Sequence, residues 1–509
     1  MLLGIDYGTT RTVVAAVDRG NYPVVSFQTE SGDAQEWYPS LLAERGGELL
    51  YGPAAAARQN EPGWALLRSF KRRLAALGPE SEVSIGRQKV GALDLLTQFL
   101  AQLRRDLAER SNLRLKTREK LAAMISVPAN SNSNQRFMTI EAFRRAGFEV
   151  AGLINEPSAA GIEYAHRFLG DGAPARREHV VVYDLGGGTF DASVIDIAER
   201  RHEVVRSEGV ARLGGDDFDQ LLLDLALDRA GLSGVPETAR ERLLEECREK
   251  KEGLHPNTRK LAIDLSIALE SAGEVVVSTA DFYDRCQPLI ERTVEVMEQA
   301  MRRSPGEAAS DWRSVAAIYL VGGSSELPAV ARLLRERYGR NVRKSPYPHA
   351  SAAIGLAIAA DAGAGYTLRE RFTRHFGVWR EAEAGREIAF DVLFEKDTPL
   401  PANGQPTVTR ARRYLPAHNL GHFRYLECGG LGAAGEPTGD LTPWDEIYFP
   451  FDPALEGEAD LKGVPVARAP LGEGVVEEIY SCDRNGIIAV EIVNHATGAR
   501  RSYRLRGKR

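Results

Sequence analysis

The sequence predicts an α/β domain followed by an all-β sandwich. Over residues 1–362, apolar strands such as LLGIDYG, AAMISVP, HVVVYDLG and AAIYLVGG alternate with helical stretches. LDLLTQFLAQLRRDLAER is one such helix, because its leucines recur at helical spacing. After residue 366, EIAFDVLFEK alternates apolar and polar side chains, which is typical of a half-buried strand. Residues 376–507 continue in this way to a hairpin about NHATG, and 363–375 form the predicted linker.

The composition is that of a soluble globular protein. Of 509 residues, 43% are hydrophobic and 27% are charged, with a net charge of −6. Nucleic-acid binding calls for a basic domain, so we expect no nucleic-acid partner. The N-terminal MLLGIDYGTT has no basic region, and no apolar run reaches the roughly 18 residues that a membrane span needs. We therefore expect a cytoplasmic protein without a membrane partner, and the four scattered cysteines show no spacing typical of a cysteine-based metal site.

Two glycine-rich hairpins carry the acidic residues that point to chemistry. In GIDYGTTRTVVAAVD, Asp6 ends a strand and a tight turn follows. In VVVYDLGGGTFDASVID, Asp184 ends a strand, three glycines follow, and Asp191 begins the returning strand. Consecutive backbone N–H groups in such turns form a concave nest for phosphate oxygens. Carboxylates beside a phosphate need a cation between them, and hydrated Mg²⁺ is the natural candidate.

A structural explanation competes with this one. The glycines of a single hairpin, such as one GGGT, can serve the turn alone. Two hairpins of one design in one chain favour phosphate binding instead. A third element, AIYLVGGSSELPAV, places a glycine pair and serines between a strand and a helix, although an ordinary strand-to-helix turn would look the same.

Together, GIDYGTT, YDLGGGTFD and LVGGSSELP resemble the two phosphate motifs and the adenosine motif of the actin, hexokinase and heat-shock ATPase superfamily. The flanking LINEPSAAGIEY, SVPANSNSNQR, RSFKRRL and LGGDDFD are similar to segments of the heat-shock protein 70 (DnaK-type) chaperones. The resemblance covers the whole ATPase domain. It extends more weakly into the sandwich, through FPFDPALEGE and RNGIIAVEIVNHATGARRSYRL. It implies an actin-like (ribonuclease-H-like), two-lobed ATPase domain over 1–362 and a peptide-binding β-sandwich over 376–507.

The resemblance also implies roles for individual residues. The metal-site residues around Mg²⁺ would be Asp6, Asp184 and Asp191. The catalytic residues would be Lys71, Glu156, Asp184 and Thr189. The nucleotide, ATP or ADP, would be held by Gly8, Thr9, Thr10, Gly186, Gly187, Gly188, Thr189, Gly214, Gly215, Glu249, Lys251, Gly322, Gly323 and Ser324. Pro128 and Arg136 match the family's interdomain switch. Taken alone, Lys71 would be a solvated lysine among KRR, and Glu156 a helix-start acid.

The chain departs from the family pattern on the adenine side of the site. His255 stands where the family usually has a serine, and Arg248 where it has a glutamate, so the adjacent Glu249 takes that role in the prediction. Glu326 replaces an arginine, and His349 an acid. The leucine-rich interdomain linker is not recognisable, and no helical lid follows the sandwich, so the resemblance is to a lidless, divergent member.

The leading functional prediction is an ATP-hydrolysing chaperone that binds extended apolar segments of unfolded polypeptides. The family's J-domain co-chaperones and nucleotide exchange factors are the further partners that the resemblance implies. One alternative is a nucleotide-gated binding or scaffold protein with little chaperone activity, which the missing linker pattern favours. A less favoured alternative is a sugar kinase of the same superfamily, against which the β-sandwich counts.

Overall fold

The chain forms two compact units, each with its own core. The structure, a computed structural model, describes residues 1–59, 61–116, 119–169, 178–198, 200–269, 272–302, 315–402, 404–444, 446–468 and 474–504. One unit comprises Met1–Asn130 and Met138–Leu368, and the other Ser131–Phe137 and Arg369–Arg509. The domain boundaries given above stay a prediction, and residues 505–507 of the predicted sandwich lie outside the described residues.

Strands and helices alternate over the first 370 residues. The strands are β1 (Leu2–Tyr7), β2 (Arg11–Ala16), β3 (Phe27–Gln28), β4 (Ala34–Gln35), β5 (Tyr38–Pro39), β6 (Leu42–Arg45), β7 (Glu48–Tyr51), β8 (Ala65–Leu67), β9 (Glu82–Ile85), β10 (Gln88–Gly91), β11 (Ala122–Val127), β12 (Glu149–Asn155), β13 (Glu178–Leu185), β14 (Phe190–Ala198), β15 (Arg201–Val210), β16 (Lys260–Asp264), β17 (Glu274–Ser278), β18 (Val315–Val321), β19 (Val342–Lys344) and β20 (Thr367–Arg369). The helices are α1 (Pro53–Ala56), α2 (Phe70–Arg73), α3 (Ala92–Glu109), α4 (Ser133–Arg145), α5 (Glu156–Phe168), α6 (Gly215–Ala230), α7 (Glu237–Glu252), α8 (Thr279–Met301), α9 (Pro328–Tyr338) and α10 (Ser351–Ala360).

Two sheets of the first unit share one plan. The lobe I sheet has the strand order β12-β11-β1-β2-β5, and the lobe II sheet has the order β19-β18-β13-β14-β15-β20. In each sheet an antiparallel hairpin, β1–β2 or β13–β14, lies beside a parallel strand, β11 or β18. The loops that leave the parallel strands and the hairpin tips therefore gather at one edge of each sheet, which is where open α/β sheets bind ligands.

Helices α5 and α10 pack very closely against the strands and against each other. A Cβ atom added to Gly4 in β1 would lie 2.3 Å from the carbonyl oxygen of Ala353 in α10. One added to Gly355 in α10 would lie 1.8 Å from the carbonyl oxygen of Ala159 in α5. Only glycine permits these approaches, because any side chain would have to displace backbone atoms.

The second unit is all β among its described residues after 370, apart from short helical turns. Its strands are β21 (His375–Ala382), β22 (Glu387–Phe394), β23 (Val408–Tyr414), β24 (Leu420–Phe423), β25 (Tyr425–Leu431), β26 (Pro437–Pro443), β27 (Ile447–Pro450), β28 (Val476–Cys482), β29 (Ile488–Asn494) and β30 (Arg500–Arg504). They form the four-stranded sheets β22-β21-β25-β26 and β23-β28-β29-β30, with β24 paired to β27. Buried aromatic residues of both sheets share one core, so the unit is a sandwich.

One part of the sandwich interior is ionic. The carboxylate of Glu478 on β28 is fully buried, and the Arg380 guanidinium of β21 donates to both its oxygens, at 3.0 and 2.5 Å. The Tyr414 hydroxyl donates to the same carboxylate at 2.5 Å. Arg380 also pairs with Asp391 of β22 at 2.7 Å, and Asp391 pairs with Arg412 of β23. We call these five residues the sandwich ion cluster; such a buried network needs every partner in place.

The predicted fold class is confirmed: an α/β unit with two related sheets is followed by a β-sandwich. No helix in the described part of the chain is both long enough and apolar enough to cross a membrane.

A buried histidine makes the stability of the first unit depend on pH. His202 on β15 is 3% exposed, and its ring lies edge-on to Tyr366, with 5.4 Å between ring centroids. Neither ring nitrogen has a hydrogen-bond partner among the described residues. Burial lowers the pKa of His202 to about 4, since the charged imidazolium would be desolvated there.

Replacing His202 should therefore make the free energy of unfolding less dependent on pH in the acid range. Because the folded pKa lies below the unfolded one, the unfolded chain binds the extra proton, and stability falls as the pH drops from about 6.5 towards 4. Between pH 7 and pH 4.5, the free energy of unfolding should fall by about 2–3 kcal/mol less in His202→Leu than in the wild-type protein. Denaturant unfolding of both proteins across this range measures the difference, and parallel curves would contradict the assignment.

Candidate functional site

The tips of the two glycine hairpins meet in the first unit. Residues 8–10 connect β1 to β2, and residues 186–189 connect β13 to β14. A Cβ atom on Gly187 would lie 2.8 Å from the Thr10 side chain, and one on Gly188 would lie 2.7 Å from that of Thr9. Larger residues would force the two loops apart, so Gly187 and Gly188 serve the close approach of the loops. The predicted phosphate-binding loops are thus neighbours in space.

A buried ion pair lies beside these loops. Lys71 comes from the short helix α2 and is 6% exposed, while Glu156 is the first residue of α5 and is 8% exposed. The Lys71 ammonium donates to the Glu156 carboxylate. Burial alone would lower the pKa of Lys71, but the carboxylates of Glu156, Asp6 and Asp184 together raise it, so the ammonium stays charged.

Three further carboxylates stand close to this pair. Asp6 and Asp184 occupy the last-but-one positions of β1 and β13, and Asp191 is the second residue of β14. Burial, Glu156, Asp191 and Asp6 raise the pKa of Asp184 well above its usual range. Burial also raises the pKa of Asp191 to about 7, although this carboxylate accepts a hydrogen bond from the Asn130 backbone N–H at 3.2 Å. Burial and Asp6 likewise raise the pKa of Glu156 against the effect of Lys71.

If all four acids were ionised, they would carry more negative charge than one ammonium offsets, and repulsion from neighbouring carboxylates adds to burial in raising the pKa of Asp184 and of Glu156. Within the described residues, no three Asp, Glu, His or Cys side chains converge closely enough to ligate a metal directly. A hydrated Mg²⁺ fits such a site, because it keeps several waters and takes few carboxylates together with phosphate oxygens. Asp6, Asp184 and Asp191 remain the predicted residues for that ion.

A cavity of about 960 Å³ extends from these acids. Most of the predicted site residues line it: Asp6, Gly8, Thr9, Thr10, Lys71, Glu156, Asp184, Gly186, Gly187, Thr189, Gly215, Lys251, Gly322, Gly323 and Ser324. Gly188, Asp191 and Gly214 are in contact with residues that line the cavity, namely Thr9, Asp184 and Gly187. Glu249 is exposed on α7 and does not line the cavity, whereas the neighbouring Arg248 does.

The far wall of the cavity is built by the turn after β18 and by α7. Gly322 has φ +82°, and a Cβ atom there would lie 2.3 Å from the carbonyl oxygen of Leu185. The Lys251 ammonium of α7 donates to the carbonyl oxygen of Gly215 at 2.9 Å and pairs with Asp219 at 2.6 Å. Lys251 is therefore held firmly at the wall of the cavity, 8% exposed, by groups that the chain itself supplies.

Sequence reasoning missed two ion pairs that line the cavity. Arg11 directly follows Thr10, pairs with Glu252 of α7 at 2.5 Å, and stacks on Trp37 with 4.4 Å from its guanidinium carbon to the ring centroid. Lys344 pairs with Glu326 at 3.0 Å. All four charged residues line the cavity. Arg11 directly follows a phosphate motif, which could have suggested that it lines the cavity. No local sequence signal marks Lys344.

The two predicted switch residues belong to different compact units. Pro128 follows β11 in the first unit and is buried. Arg136 belongs to the second unit, is 6% exposed, and its guanidinium donates to the backbone carbonyl of Asn485 at 3.2 Å. Their role as a switch stays a prediction.

Comparison with known proteins agrees with the geometry. A family model described as Hsp70 protein matches residues 76–371. Over 523 residues, the chain is 27% identical to the chaperone protein DnaK of Halobacterium salinarum, covering 99% of this chain and 75% of the relative. Over 518 residues, it is 28% identical to the chaperone protein DnaK of Thermosipho africanus, covering 100% of this chain and 80% of the relative.

Proposed function

Because the chain belongs to the Hsp70 family, whose members are ATP-dependent chaperones, we propose that it hydrolyses ATP in the cavity of its first unit. We further propose that its β-sandwich binds extended apolar polypeptide segments. The observation that carries the proposal is the buried Lys71 ammonium among four carboxylates, beside two glycine loops that can take phosphates.

The two glycine loops bind and orient the phosphates of the nucleotide. Thr9, Thr10 and Thr189 line the cavity and offer hydroxyl groups, while the loop glycines leave backbone N–H groups accessible to an anion. Mg²⁺, held through Asp6, Asp184 and Asp191, would supply the positive charge that offsets the phosphates. ADP fits the same loops, so the product is retained by the same contacts.

Lys71 acts on the transferred phosphate. Its ammonium lies in a buried site, where a fixed positive charge stabilises developing negative charge far more than in water. Glu156 orients the ammonium through the ion pair and keeps it protonated. We propose that Lys71 also holds the attacking water, which requires the donor to be fixed in place before the reaction.

Lys71→Ala should slow hydrolysis by about 10²–10³-fold while leaving the affinity for ATP largely unchanged, because the ammonium acts mainly in the transition state. Single-turnover hydrolysis, together with calorimetric ATP binding, measures both effects. Arg73→Ala is the matched control, since Arg73 is an exposed cation on the same helix. If Lys71→Ala hydrolysed ATP as fast as the Arg73→Ala control, Lys71 would have no catalytic role.

The sandwich offers an exposed apolar surface for a peptide. Ile388 on the edge strand β22 is 62% exposed. Two residues further along that strand, Phe390 packs on Trp379 of β21 with 5.3 Å between ring centroids. An edge strand with apolar side chains can add an extended peptide as a further strand.

One observation favours the second candidate, a nucleotide-gated binding or scaffold protein. The sandwich ion cluster, with its buried Glu478 carboxylate, puts charged groups between the sheets beside β21 and β22. A protein of this kind would bind nucleotide in the same way but would have little affinity for apolar segments. J-domain co-chaperones and nucleotide exchange factors are partners that we propose only for the chaperone.

Peptide binding separates the two candidates. The chaperone proposal predicts that a fluorescent apolar heptapeptide binds the full chain and raises its steady-state ATPase rate, and that Ile388→Asp weakens binding at least about tenfold. Val276→Asp is the control, because Val276 is 45% exposed in the first unit. ATP hydrolysis without any peptide effect would support the scaffold candidate instead.

A further inference from the structure

Asp216 connects a phosphate-binding loop to the helix that carries Lys71. It is the second residue of α6, and its backbone N–H donates to the carbonyl oxygen of Gly187 at 2.8 Å. The preceding Gly215 donates in the same way to Gly186 at 3.0 Å. The first turn of α6 is therefore fixed to the loop between β13 and β14, which belongs to lobe II.

The side chain of Asp216 reaches to the segment that carries Lys71. Its Oδ2 accepts from the Ser69 hydroxyl at 2.5 Å and from the Arg72 guanidinium at 3.4 Å. Its Oδ1 accepts from the Arg248 guanidinium of α7 at 3.0 Å. The Asp216 side chain is only 15% exposed, so these interactions are partly shielded from water.

Helix α2 depends on such contacts because it is too short to be stable alone. It contains four residues, Phe70–Arg73, whereas isolated helices below roughly 12 residues are marginal in water. Its N-cap, Ser69, makes no capping hydrogen bond and has φ +52°, in the left-handed region that costs a residue with a side chain about 1–2 kcal/mol. The hydrogen bond from Ser69 to Asp216 holds the chain in this conformation.

We propose that Asp216 is the residue that positions Lys71. It connects Ser69 and Arg72, on the two sides of the lysine, to the loop proposed to bind phosphate. The Lys71 ammonium is therefore held at a fixed position relative to the bound phosphates. Asp216 acts through Lys71 and does not itself touch the reacting atoms. The inference rests on the proposed ATP hydrolysis for its kinetic consequence, but the position of Lys71 can be measured without nucleotide.

The direct test is the reactivity of the Lys71 amine in the full chain without nucleotide. An acylating reagent modifies lysines according to their exposure and free amine fraction, and mass spectrometry of peptides reports each site. Asp216→Ala should raise the modification rate of Lys71 at least about tenfold, because a released α2 exposes the amine. Lys251 should stay protected by Asp219 in the same protein, which excludes general unfolding.

Two further variants sharpen the result. Ser69→Ala removes one of the contacts and should change Lys71 reactivity in the same direction by a smaller factor. Asp224→Ala is the matched control, because Asp224 also lies on α6 and pairs with Arg240, away from Lys71. Unchanged Lys71 reactivity in both Asp216→Ala and Ser69→Ala would overturn the proposal.

Kinetics provide the second readout. Asp216→Ala should lower kcat by about 10- to 100-fold with little change in KM, since small misplacements of a catalytic group cost this much. In a Lys71→Ala background the same substitution should have no further effect, because its target is gone. Fully additive losses would contradict a role through Lys71. Absence of hydrolysis in the wild-type chain would instead reject the proposed function, and Lys71 reactivity would still decide the role of Asp216.

Discussion

The buried ion pair of Lys71 and Glu156 is the constraint on which the first unit depends. Removing one member of such a pair leaves an uncompensated charge in the interior and costs about 3–5 kcal/mol. When Asp6, Asp184 and Asp191 are ionised, they place an excess of negative charge beside this pair, and that repulsion contributes to the raised pKa of Asp184. That excess would repel bare phosphates. The same arrangement therefore favours a metal–nucleotide complex over a nucleotide alone, and it links the electrostatics of the site to the proposed cofactor.

The two sheets supply this site from equivalent positions, because β1 and β13 each carry an acid one residue before the strand ends at a glycine turn. Loop glycines then let the tips approach, and α5 delivers Glu156 from its first turn. The sandwich follows a different principle. Its interior combines an aromatic core with the buried Glu478 carboxylate, which Arg380 and two tyrosine hydroxyls satisfy. Such a network favours one packing of the two sheets.

Local sequence patterns predict the hairpins and their acids, because strand periodicity and turn glycines are short-range signals. They do not distinguish Lys71 from Arg73 within KRR; the fold buries the first and exposes the second, and only the family resemblance pointed to Lys71. Contacts between distant residues leave no local pattern at all. Ser69 and Asp216 are 147 positions apart, and Arg11 and Glu252 are 241 apart, so these links required the structure. Glu249 was predicted beside the nucleotide, but the helix turns it to solvent.

The central claim, that the acids of this cavity act together with a divalent cation to bind phosphates, can be measured on the wild-type chain. Calorimetric titration with ADP in the presence of Mg²⁺, and again with a chelator, gives the two affinities directly. The account predicts tighter binding with Mg²⁺ by at least about tenfold, or 1.4 kcal/mol, because the ion neutralises repulsion between carboxylates and phosphates. Equal affinities under both conditions, or no binding in either, would contradict it.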